Sequence, residues 1–137
     1  MIGYLVSNIS NNYFTQVASY LEAVVNAENY NIMFFSSDQR KDKELSYLEM
    51  LIENKVDGLV INTSGYNDGF IAEMSRNIPV VSINRRIRHE HFVGDFIDSD
   101  NINGVYMLTE YLVSLGHNRI GVINGDQNLS TDRKSVV

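Results

Sequence analysis

The chain has no cysteine, no tryptophan and a single proline among its 137 residues. Without cysteine there is no disulfide framework and no thiolate nucleophile, a composition that suits a reducing compartment. Basic residues are also scarce, with 11 Lys and Arg against 17 Asp and Glu and a net charge of −6. A surface that neutralises phosphates needs a basic footprint, so direct nucleic-acid binding by this chain is disfavoured. No apolar run approaches the roughly 20 residues of a membrane-spanning helix. The short apolar start also lacks the charged leader and cleavage pattern of a signal peptide. These absences predict a cytoplasmic chain with no membrane partner.

What is present is one domain's worth of material, 44 % hydrophobic, enough for a single core. Apolar runs alternate with helical patterns every 25 to 30 residues. Strands are predicted over residues 2–6, 32–35, 56–61, 78–83 and 119–123, with a short extended segment over 92–97. The single proline, Pro79, stands at the start of a strand, where a missing N–H is tolerated. Between the strands, a helix from Phe14 carries an inward stripe of Phe14, Val17, Ala18, Leu21, Val24 and Val25. A second, over 41–54, turns Leu45, Leu48, Leu51 and Ile52 inward and Lys41, Lys43, Glu44 and Glu49 outward. A weaker helix is predicted over 68–76. Another follows the polar cluster Asp98-Ser99-Asp100-Asn101, striped by Val105, Leu108, Tyr111, Leu112 and Leu115 and ended by Gly116. Such alternation predicts an α/β fold, a doubly wound parallel sheet. The helix that Ser130 or Thr131 could start does not develop before Val137, so the chain reads as a fragment of something longer.

In such sheets ligands gather where loops leave the carboxyl ends of the strands. Here those loops begin at Ser7, Ser36, Asn62, Asn84, Asp98 and Asn124, and are rich in Asn, Ser, Thr and Asp. A rim of neutral amides and hydroxyls beside Tyr13 and Phe14 suits a neutral, hydroxylated or heterocyclic ligand. The same residue types are also simply those that favour turns. Catalytic patterns are missing. No glycine fingerprint follows the first strand and no Walker-type loop occurs, which disfavours dinucleotide and nucleotide cofactors. His89 and His91 flank Glu90 but lack a third metal ligand nearby. Arg85, Arg86 and Arg88 could meet an anion or a partner, or form a solvated loop. A phosphoacceptor would need acidic residues where the chain has Ser7-Asn8 and Asn62-Thr63. The residues predict a binding module with no cofactor, not an enzyme.

Four stretches carry a resemblance to a known family. They are Ile2-Gly3 through Ile9-Ser10-Asn11-Asn12-Tyr13-Phe14; Val56-Asp57-Gly58-Leu59-Val60-Ile61; Ile78-Pro79-Val80-Val81-Ser82-Ile83-Asn84-Arg85; and Asp100-Asn101-Ile102-Asn103-Gly104 leading to Leu115-Gly116-His117-Asn118-Arg119-Ile120-Gly121-Val122-Ile123-Asn124-Gly125. The sequence resembles the effector-binding core of LacI/GalR-type bacterial transcription regulators, which share the periplasmic sugar-binding-protein fold. The resemblance implies a type I periplasmic-binding-protein-like amino-terminal subdomain over residues 1–137. The second lobe and the DNA-binding domain would lie elsewhere in the parent protein.

By the same resemblance, the chain would sense a small effector, a sugar or a nucleoside-like molecule, in an interlobe cleft. It would meet DNA only through a domain it does not contain, and would form a homodimer. Tyr13 and Phe14 match the aromatic pair that lines the cleft in relatives. Ser7, Ser64 and Asn84 sit at strand ends facing it, Asp100 matches an Asp-Asn pair at a helix start, and Thr131 and Arg133 fall in the segment leading to the hinge. Phe14 also fits the inward stripe, whereas Tyr13 lies off it. Relatives often have proline at Asn12, aspartate at Asn84 and an effector-contacting arginine at Ser135, so an arginine-anchored sugar is not implied. A solute-binding receptor of a transport system is the alternative on the same fold.

Overall fold

Ile2–Val6 forms β1, and the Ser/Asn cluster behind it turns into α1 (Asn12–Ala27). This helix starts two residues before Phe14 because Asn11 caps it, its side chain accepting the Tyr13 N–H at 3.0 Å. There follow β2 (Ile32–Ser36), α2 (Lys41–Glu53), β3 (Gly58–Ile61), α3 (Asp68–Ser75), β4 (Val80–Ile83), β5 (Asp95–Ile97) and α4 (Asn101–Ser114). This is a computed structural model, and it describes residues 1–124. They fall into two units, residues 1–97 and a second beginning at Asp98.

In the first unit five strands pair in parallel in the order β2-β1-β3-β4-β5. Successive side chains on a strand point to opposite faces, so β1 divides between two cores. Tyr4 and Val6 join Phe14 and Ile83, with Val17, Ala18 and Leu21 of α1 packed against them. Leu5 faces the other way, with Leu48 and Leu51 of α2 and Ile71 and Met74 of α3. Gly3 lets α2 come close: a Cβ there would sit 2.8 Å from a Leu51 methyl. Ladder pairing in β3 and β4 starts two residues later than expected, at Gly58 and Val80. Before it, Pro79 has no N–H to donate, and its carbonyl instead accepts from Leu59 N–H at 2.9 Å.

Three expectations about facing are corrected. Val24, expected inward on α1, is 64 % exposed, and Ile52 on α2 is likewise exposed. Glu44, expected outward, is fully buried. The buried line of α2 is Glu44, Leu48 and Leu51, with Tyr47 packed beside it, an i, i+3, i+4, i+7 face rotated from the apolar stripe read in the sequence. The rotation follows from what Glu44 finds inside, described below.

In the second unit, α4 is capped by Asp100, which accepts the Asn103 N–H at 3.2 Å, and Gly116 beyond its end takes φ +89°. None of its residues is buried. Of the stripe expected inward, Leu108, Tyr111 and Leu115 are exposed, and Val105 and Leu112 half-buried. The strand expected over 119–123 is also absent from the described residues. A strand exists only through ladder bonds to a neighbour, and among the described residues none pairs with this segment.

Candidate ligand-binding site

After β1 the chain leaves through α1 to β2 on one side, whereas β3 and β4 extend the sheet on the other. The loops following β1 and β3 therefore part at the β1/β3 boundary, the place where open α/β sheets form a crevice. Two side chains bridge it. Ser7 Oγ donates to Asn62 Oδ1, and Asn62 Nδ2 donates to the Ile83 carbonyl at 3.1 Å. Both residues are buried. Asn62 thus ties the ends of β1, β3 and β4 together, with both its amide oxygen and its amide nitrogen engaged by the framework. It is a buried framework position of the candidate site not named among the expected site residues; its place directly after the β3 apolar run was the available signal.

Above this buried layer lies an exposed one. Tyr13 is 42 % exposed, and its hydroxyl donates to Asn84 Oδ1 at 3.1 Å. Asn84 sits in the left-handed region, φ +63°, with its N–H on the Ile97 carbonyl at 2.9 Å. Asparagine tolerates that conformation better than most residues. An aromatic ring and an amide, 71 residues apart in sequence, thus meet at the carboxyl ends of β1 and β4. The Tyr13 ring packs edge-on against Phe14, centroids 5.2 Å apart.

Phe14 itself is buried among Tyr4, Val6 and Ile83. Tyr4 lies beneath the same helical turn, donating its hydroxyl to the Phe14 carbonyl at 3.0 Å, and burial pushes its pKa well above the usual phenol value. Phe14 therefore supports the wall from behind, and Tyr13 presents the surface.

The β2 loop braces the β1 loop. Gln39 N–H reaches the Ser7 carbonyl at 2.8 Å, and Ile9 N–H reaches Ser36 Oγ at 3.2 Å. Asp38 and Gln39 both have positive φ, +53° and +57°, two successive left-handed residues neither of which is glycine. Strain of this kind persists only where surrounding bonds impose it. Lys43 supplies one such bond, donating to Asp38; that contact, with the Ser36 hydroxyl, holds the Asp38 carboxyl below its usual range.

The β3 loop is held from below. Glu44 accepts from Ser64 N–H at 2.6 Å, from Ser64 Oγ at 2.8 Å and from Asn67 Nδ2 at 2.9 Å. Ser64 is thereby buried, its hydroxyl committed to a carboxylate. Across the rim, Arg85 Nη1 donates to the Thr63 carbonyl at 3.1 Å and Arg88 N–H to Asp68 at 2.6 Å, joining the β3 and β4 loops. Arg86 lies over the Phe96 ring, 4.2 Å from its centroid.

Of the expected site residues, the structure brings Tyr13 and Asn84 into contact and sets Ser7, Phe14 and Ser64 in the layer beneath. Asp100 belongs to the second unit, where it caps α4. Thr131 and Arg133 lie outside the described residues. Among the described residues no group of three or more His, Cys, Asp or Glu side chains could hold a metal ion. No helix among them is long and apolar enough to cross a membrane.

A parallel sheet wound on both faces, with polar loops at its switch point, is the architecture at which open α/β sheets bind ligands. The whole chain, residues 1–137, matches the family of periplasmic binding proteins and sugar-binding domains of the LacI family, and it belongs to that family. It is 32 % identical over 132 residues to the HTH-type transcriptional repressor PurR of Proteus mirabilis (strain HI4320), covering 95 % of this chain and 38 % of the repressor. Among solved structures, a protein from Burkholderia thailandensis described as a ribose operon repressor superposes with a TM-score of 0.90 at 31 % identity, over 98 % of this chain and 51 % of that one. A periplasmic binding protein/LacI transcriptional regulator from Alkaliphilus metalliredigens QYMF, complexed with D-xylulofuranose, superposes with a TM-score of 0.78 at 29 % identity, over 98 % and 48 % of the two chains. The chain thus spans less than half the length of the curated relatives it matches.

Proposed function

We propose that this chain is the amino-terminal lobe of the ligand-sensing core of a LacI-type transcriptional regulator. In this reading a small neutral molecule, a sugar or nucleoside, binds in a cleft between this lobe and a second one. Its binding favours one lobe arrangement over another and so shifts DNA binding by an attached domain. The observation that carries the reading is the Tyr13–Asn84 pair, an exposed ring hydrogen-bonded to a half-buried amide at the carboxyl ends of β1 and β4. It offers a ring face for stacking and an amide-hydroxyl pair for a polyol or heterocycle. Non-catalytic binding fits the buried layer too, since Ser7 donates to an amide oxygen, which cannot act as a base. The parent protein is read as a cytoplasmic homodimer with no cofactor. By the family resemblance Asp100 is read as the Asp of an Asp-Asn pair at a helix start, and Thr131 and Arg133 as falling in the segment that leads to the hinge.

Half a cleft binds poorly. Calorimetric titration of this 137-residue chain with D-ribose, D-glucose and adenosine should show weak or no binding, and the full-length protein should bind one of the class far more tightly. Submicromolar binding by the isolated chain would sink the two-lobe reading. The second reading, a solute receptor of a transport system, is favoured by the family's inclusion of periplasmic binding proteins. A helix-turn-helix encoded upstream excludes it, and an upstream signal peptide supports it.

A further inference from the structure

Glu44 is the largest exception to the rule that charged side chains face water. It is fully buried in the first turns of α2, and no ion pair among the described residues involves it. A buried carboxylate is expensive unless its lone pairs are satisfied. Here three bonds do so, two from Ser64 and one from Asn67, all from uncharged donors. The α2 amino terminus adds a favourable dipole. Asn67 is itself fixed by a second bond, Nδ2 to the Lys41 carbonyl at 3.0 Å.

We propose that Glu44 is a positioning residue for the candidate site: it anchors the 62–67 loop, and through that loop the β3 wall of the cleft, without touching a ligand. The proposal rests on the reading of the rim as a ligand site. The connection is short. Ser64, gripped by its N–H and its hydroxyl, follows Thr63, whose carbonyl receives Arg85 and whose Oγ1 donates to Asp68 at 3.3 Å. Asp68 in turn receives Arg88 N–H. A shift of Ser64 therefore moves the seam between the β3 and β4 loops, next to Asn84.

The geometry demands a carboxylate and not merely a polar side chain. Both oxygens accept, and the Ser64 N–H cannot reverse its role. In Glu44→Gln, an amide nitrogen in place of Oε2 would point a donor at that N–H. In place of Oε1 it would point one at Asn67 Nδ2, and Asn67 could turn its oxygen inward only by giving up Lys41. One bond is lost either way, with a donor left unpaired in a buried place.

The test is Glu44→Gln in the full-length protein, read by two measurements. Amide hydrogen exchange at residues 64–67 should accelerate at least tenfold, while the amides of β1 and β3 keep their wild-type rates. No change in the loop, or equal acceleration through the sheet, overturns the proposal. Titration with D-ribose, D-glucose and adenosine should show affinity for the probe bound by wild type falling about tenfold. Unchanged affinity despite a loosened loop also overturns it. If wild type binds none of the three, the ligand reading fails, and the exchange pattern alone still decides whether Glu44 anchors the loop. Should Glu44→Gln not fold, Ser64→Ala, which removes one of the three bonds, should give the same pattern at about threefold.

Discussion

The carboxyl edge of the sheet has an inner layer and an outer one, built from similar side chains put to opposite use. In the inner layer Ser7, Asn62, Ser64 and Glu44 are buried, and no buried side-chain polar atom among the described residues lacks a hydrogen-bond partner. In the outer layer Tyr13, Asn84, Asp38 and Lys43 reach solvent or lie close to it. The contrast teaches that residue type does not assign a role at such a rim. A buried amide or carboxylate must find its hydrogen-bond partners within the framework, so it sets geometry. An exposed one can exchange its partner, or water, for a ligand.

Tyr13 and Phe14 make the contrast at two adjacent positions, and breaking the inner member should have the largest effect. Phe14→Ala empties a space among Tyr4, Val6 and Ile83. It should lower the free energy of unfolding by about 3 to 5 kcal/mol, measured by urea denaturation with an unchanged m-value. A loss below about 1 kcal/mol would place the ring in the outer layer instead.

That Phe14 packs inward was legible from its place in the helical stripe, and Tyr13 from its place off it. The parallel sheet was legible for the same reason, since apolar runs at regular spacing allow few other arrangements. Glu44 was not legible. Its neighbours Lys41, Asp42 and Lys43 make the first turn of α2 look like a solvated face, and the donors that draw Glu44 inward come from a loop 20 residues later. Asn62 stood in plain view after β3, but its partners were hidden likewise, because they lie at the ends of β1 and β4. The expected strand over 119–123 failed on different grounds: its composition suits a strand, but a strand also needs a neighbour. Local pattern fixes which segments are regular, and long-range partners fix which polar groups are inside.

The outer layer gives the next prediction. Tyr13→Phe removes only the hydroxyl on Asn84, an exposed neutral hydrogen bond worth about 1 kcal/mol or less. Unfolding should change by no more than that, several-fold less than for Phe14→Ala. Ligand affinity of the full-length protein should nevertheless fall about fivefold, in line with about 1 kcal/mol. A stability loss matching that of Phe14→Ala would abolish the distinction between the layers.

The smallest effect is expected at the far end of the outer layer, where Lys43 donates to Asp38 beside the strained β2 loop. Lys43 and the Ser36 hydroxyl hold the Asp38 carboxyl below its ordinary range, and Asp38 in return raises Lys43. A depressed carboxylate contributes stability above its unfolded value, about 3.9, and loses that contribution as the pH falls through its lower folded value. A raised ammonium contributes fully below about 10.4 and loses it as the pH rises through its higher folded value. The pair is therefore intact across neutral pH. Because Asp38 is exposed and Lys43 partly so, salt screens the pair. Asp38→Asn should lower the thermal midpoint slightly at neutral pH and low salt. The difference should shrink in concentrated salt and vanish in acid below the folded carboxylate range. A difference that grew in acid would reverse the sign of the linkage, and one that survived high salt would mean that Asp38 belongs with Glu44 in the inner layer.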